Sequence, residues 1–129
     1  MKRIRVLMAS WEEVAEPIFR GAIEKGGHQL TTMSPWGREV EFLEEAKTGR
    51  YDVILLTNLG LPLAYSLSLI APLRELCSAK VIVMSGVAHQ EARERAIREG
   101  AVAFYKLPFS GEQILEAVEA AARWEKGSR

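Results

Sequence analysis

Four short stretches carry the polar groups that could act together at one place: Ser10-Trp11-Glu12, Thr57-Asn58, Ser85-Gly86 and Tyr105-Lys106-Leu107. They offer hydroxyls, one amide, one ammonium and a single carboxylate, that of Glu12. Such a set can hydrogen-bond an anion or a carbonyl. A hard divalent cation instead seeks several carboxylate oxygens, and one acid does not supply them. His28 and His89 have no His, Cys or acid at ligand spacing, so neither is read as a metal ligand. Cys77 is alone, which excludes a disulfide framework and a thiolate cluster and leaves it as a small core residue. No Ser-His-Asp or Cys-His constellation can be argued from spacing. The chain is expected to be no enzyme, with no catalytic residue, metal or cofactor.

The elements that must position these groups recur five times. Apolar runs lie at 4–9, 28–33, 52–57, 80–85 and 101–105, each followed by a helix-like segment. The first, third and fourth are rich in Val, Ile and Leu without clean alternation, as strands covered on both faces of a parallel sheet read. The pattern predicts an α/β fold, (βα)5. Right-handed crossovers then place helices on both faces of a doubly wound sheet, strand order 2-1-3-4-5. All four polar stretches fall where strands end, at the edge where open α/β sheets bind ligands.

The first helix opens on the capping box Ser10-x-x-Glu13, with Val14, Ile18 and Ala22 expected on its inner face and Pro17 as a kink or late start. The second, about 38–48, is amphipathic through Val40, Leu43 and Ala46. The third, about 63–77, contains Pro72, which costs about 3 kcal/mol in a helix interior unless it begins a turn. In the fourth, 89–99, the pairs Glu91/Arg95 and Glu94/Arg98 mark a solvated face. The last opens on a second capping box, Ser110 to Gln113, and runs Ile114, Leu115, Val118, Ala121 and Ala122 inward.

At 129 residues, 1–125 form one domain and 126–129 a short tail. Seventeen basic against seventeen acidic residues give no broad pull on nucleic acid or an anionic membrane. The amino terminus is too short in apolar residues for a signal peptide or a span, so a cytoplasmic location is expected.

The stretches IRVLMASWEE, DVILLTNLGLP, KVIVMSG and GAVAFYKLPFS resemble the receiver domain of the response-regulator family (CheY-like, flavodoxin-like) over nearly the whole chain. A working receiver has an acid pair after strand one that holds Mg²⁺, and an aspartate after strand three that attacks phosphorus. A hydroxyl after strand four and a lysine after strand five neutralise the phosphoryl group. In this chain the acid pair falls on Ser10 and Trp11, followed by Glu12. The acceptor falls on Thr57 counted from Asp52, or on Asn58 counted back from Pro62. Ser85 keeps the hydroxyl. The lysine position holds Leu107, with Lys106 one residue early, a step that turns a strand side chain to the opposite face.

The resemblance therefore implies a pseudo-receiver of a two-component-type pathway. It is expected to stand alone and to act without phosphorylation, by binding another signalling protein or a second copy of itself as a homodimer. Two surfaces could serve. One is the face of the fourth helix, fifth strand and fifth helix, with Phe104 at the family's aromatic switch position and Tyr105 beside it. The other is the apolar loop Leu59 to Tyr65, with Leu61, Leu63 and Tyr65. Two alternatives stand beside this reading. One is a flavodoxin-like small-molecule binder, whose anion cradle would fall on the acidic turn Ser-Trp-Glu-Glu. The other is a receiver phosphorylated off-pattern at Asp52 or Glu12.

Overall fold

The computed structural model describes residues 3–10, 16–58, 62–86, 90–106 and 110–124. Five strands alternate with helices in the order β1 (Arg5–Ala9), α1 (Glu16–Lys25), β2 (Gln29–Met33), α2 (Glu39–Lys47), β3 (Val53–Thr57), α3 (Leu63–Ser68), α4 (Ile70–Leu76), β4 (Lys80–Ser85), α5 (Gln90–Glu99), β5 (Ala103–Lys106) and α6 (Gly111–Arg123). All the strand pairs are parallel, in the order β2-β1-β3-β4-β5, as the sequence predicts.

Two cores explain why the central strands lack alternation. Leu7, Ile54, Leu56, Val81 and Val83 face Phe42, Ile70, Leu73 and Ala96 on one side. Val6, Met8, Leu55, Ile82 and Met84 face Phe19, Ile23, Ile114 and Val118 on the other. Burying one such side chain stabilises the fold by about 1.5–3 kcal/mol, so positions 53–56 of β3 favour an apolar residue whichever face they take.

Two helix faces differ from the pattern read off the sequence. Ile18 is 60% exposed, while Phe19, Ala22 and Ile23 are buried. The bulkier Phe19 takes the inner position and rotates the stripe by one residue. In α2, Val40 is 70% exposed because Phe42, two residues on and nearly opposite on a helix, is fully buried with Ala46. Val14 and the cap residue Glu13 lie outside the described residues.

The third helix is two. The break falls at Leu69, so Pro72 sits in the first turn of α4, where its missing N–H needs no intrahelical partner. In α5, Arg95 pairs with Glu99 at 2.6 Å rather than with Glu91, and Glu94 accepts from Gln90 at 3.0 Å. Cys77, just past the end of α4, packs against the core but is only half-buried; its thiol donates to the Leu73 carbonyl at 3.2 Å.

The last helix forms as read. Ser110 Oγ accepts from Gln113 N at 3.2 Å and Gln113 Oε1 accepts from Ser110 N at 2.7 Å. Ile114, Val118 and Ala121 are buried, joined by Ala117, whereas Leu115 and Ala122 are half-buried. Leu115 is spent on α1: a side chain at Gly26 would meet its Cδ1 at 2.5 Å, so glycine lets the two helices close up. The tail 126–129 lies outside the described residues.

Candidate functional site

At the carboxyl-terminal rim, β1, β3, β4 and β5 end side by side. Ala9 pairs with Leu56, Thr57 with Met84 and Ser85 with Lys106. Thr57 is wholly buried, and its hydroxyl donates to the Ala9 carbonyl at 3.1 Å, tying β3 to β1. Its own carbonyl accepts from Ser66 Oγ at 2.6 Å, which anchors α3 beneath the rim. The side chain of Thr57 is therefore interior. That of Asn58, one residue later, spans β3 to β4: its Oδ1 accepts the backbone N–H of Gly86 at 3.0 Å.

Ser85 is fully buried opposite Lys106, which is exposed. Ser10 is half-buried, and its N–H donates to the Met33 carbonyl at 3.1 Å. The rim thus brings Ser10, Thr57, Asn58, Ser85 and Lys106 to one edge. Trp11, Glu12, Leu61, His89, Leu107 and Pro108 lie outside the described residues.

Magnesium does not fit the described part of this edge. Its oxygens are hydroxyls and an amide, and the Thr57 and Asn58 groups already serve the backbone. No group of three His, Cys, Asp or Glu that could hold a metal occurs among the described residues. Asp52 sits at the other end of the sheet. Arg5 grips it through its backbone N–H at 2.9 Å, through Nε at 3.3 Å and through Nη2 at 3.2 Å. An acceptor there would face away from every rim group.

The two surfaces named from sequence differ in character. Phe104 is buried, with the Arg93 guanidinium 5.4 Å from its ring centre. Tyr105 is half-buried; burial, and then the negative charge of Glu116, raise its pKa. Leu63 and Tyr65 are half-buried against the core on the α2 to α5 side rather than standing clear of it. The Tyr65 hydroxyl donates to the Pro35 carbonyl at 2.9 Å, and burial followed by Glu39 pushes its pKa up to about 12.

Sequence reasoning passed over Trp36, which stands 49% exposed with its ring edge-on to Tyr65 at 4.8 Å. The signal was the turn Ser-Pro-Trp-Gly, where a large aromatic has no strand or helix to bury it. It also passed over Ser66, and it read His28 only as no metal ligand; both make hydrogen bonds to partners distant in sequence.

No protein-family model and no curated protein matches the sequence. Solved structures do. A response regulator from Thermotoga maritima superposes with a TM-score of 0.80 and 21% identity, over 95% of this chain and all of the other. The beryllofluoride-activated NtrC4 receiver domain dimer gives 0.76 at 28% identity, over 91% and 94%. A response regulator from Burkholderia pseudomallei, with a phosphorylated aspartic acid and a calcium ion, gives 0.74 at 25%, over 93% and 66%.

The chain has the receiver-domain fold. In open α/β sheets of this order the rim described above is where ligands bind. In this receiver-fold chain the side chain reaching out at the end of β3 is an amide, that of Asn58, already bonded to the next strand. No helix among the described residues is long and apolar enough to cross a membrane.

Proposed function

We propose that this receiver-fold chain works in two-component-type signalling as a protein-binding module that needs no phosphorylation. The observation that carries this is the Asn58 amide. Its oxygen stands where β3 meets the rim and accepts the Gly86 N–H, so Gly86, just past β4, is already tied to the end of β3. In phosphoryl transfer a carboxylate must attack phosphorus, and an amide nitrogen and carbonyl cannot form the acyl phosphate. Buried Thr57 adds a second tie, from β3 to β1, through the Ala9 carbonyl. The signal would then be the presence of the folded surface itself, read by an effector protein or by a second copy. The NtrC4 receiver was solved as a dimer in its beryllofluoride-activated form, so self-association in this chain is to be sought without the mimic.

The test is a ¹H–¹⁵N spectrum recorded with magnesium and beryllofluoride, the phosphoryl mimic. The Asn58, Ser85 and Gly86 amides should stay in place, and light scattering should give the same mass with and without the mimic. Saturable shifts at those amides, with a change of oligomeric state, would overturn the proposal.

A further inference from the structure

A cavity of about 360 Å³ opens at the opposite end of the sheet from the rim, where β4 and β5 begin and α4 and α5 end. Arg74 and Lys80 lie in its wall with Ser78 and Trp124, over an apolar floor that includes Val81 and Ile97. No carboxylate lines it among the described residues. Neither Arg74 nor Lys80 forms a salt bridge among the described residues.

Arg74 is held in that wall by packing. Its stem lies across Gly100, where an added Cβ would meet Arg74 Cδ at 2.5 Å, and the +123° φ of Gly100 also favours glycine. A cation in the last turn of a helix serves its carbonyl end, and that alone would explain Arg74. It does not explain Lys80, the first residue of β4, nor why the described residues lining the cavity include no carboxylate.

We propose that this cavity binds a small phosphate monoester carried on a flat ring, of mononucleotide size. Two cations suit the charge of one phosphate group. Trp124, half-buried, lies in the same wall, and an indole stacks on a flat ring. The volume lies near the bottom of the range of about 300–1,000 Å³ for ligand pockets, which leaves room for one ring system and one anionic group. The site is independent of the rim and of any phosphorylation there.

The experiment titrates the ¹⁵N-labelled full chain with adenosine 5′-monophosphate, with adenosine and with inorganic phosphate. The monophosphate should give saturable shifts at the Lys80, Gly100 and Ala101 amides and at the Trp124 indole, leaving Asn58 and Gly86 unmoved. Arg74→Gln and Lys80→Gln should each weaken binding by about tenfold. Trp124→Phe should weaken the monophosphate more than inorganic phosphate. The spectrum of each variant reports that it is folded. An equal response to inorganic phosphate would mean an adventitious ion only and would overturn the proposal. So would an unmoved spectrum at millimolar ligand, or monophosphate shifts that survive Arg74→Gln with Lys80→Gln.

Discussion

Replacing His28 with leucine should destabilise the fold by about 2–4 kcal/mol. The Ile4 N–H donates to Nδ1 at 2.9 Å, so the ring proton resides on Nε2, which donates to Glu119 Oε2 at 2.9 Å. One ring thereby joins the start of β1, the start of β2 and the flank of α6. The ring is 2% exposed, so water cannot replace either partner while the fold is intact. Leucine fills similar space and makes neither bond. The buried Ile4 N–H left without an acceptor costs about 1–3 kcal/mol, and a hydrogen bond to a charged group contributes about 1.5–3 kcal/mol. Glu119, 21% exposed, regains part of its loss from water, and the more apolar leucine returns about 1 kcal/mol. Urea unfolding followed by circular dichroism at neutral pH measures the change as a lower midpoint at unchanged slope. Amide exchange at Ile4 should quicken in the variant, while Glu119→Gln, which keeps an oxygen acceptor, should lose far less. A His28→Leu change below about 0.5 kcal/mol, the size of an ordinary surface substitution, would refute the reasoning.

Three further outcomes follow from local geometry. Ser66→Ala removes the bond to the Thr57 carbonyl and should cost about 1 kcal/mol, with faster exchange in α3 seen by NMR. Ser110→Ala breaks the capping box at α6 and should also cost about 1 kcal/mol in urea unfolding, with fraying confined to the first turn of that helix. Tyr65 has a folded pKa pushed up from 10.0 to about 12, so its contribution to stability is fully present below pH 10 and lost as pH rises towards 12. Stability measured across that window should fall less steeply in Tyr65→Phe, and the tyrosinate absorbance of the wild type should develop late.

The fold was legible because β1, β3 and β4 are covered on both faces, and coverage of that kind writes continuous Val, Ile and Leu into the sequence. The same coverage hid the phase of each strand. Without alternation, nothing in DVILLTNLGLP says whether Thr57 or Asn58 points inward. The answer depends on the Ala9 carbonyl, 48 residues away, which takes the Thr57 hydroxyl. Helix faces failed for a related reason. Ile18 and Val40 satisfy a stripe as well as Phe19 and Phe42 do, and only the space against the sheet selects the larger ring. The capping box at Ser110 was legible because all its atoms lie within four residues. His28 was not, since its partners are 24 and 91 residues away.

The most direct measurement is the intact mass of the protein after incubation with magnesium and acetyl phosphate. With Asn58 at the end of β3 and Asp52 held by Arg5 at the far edge, the mass should not change. A stable gain of one phosphoryl group, mapped by fragmentation to a rim residue, would contradict the assignment of this receiver fold to signalling without phosphorylation.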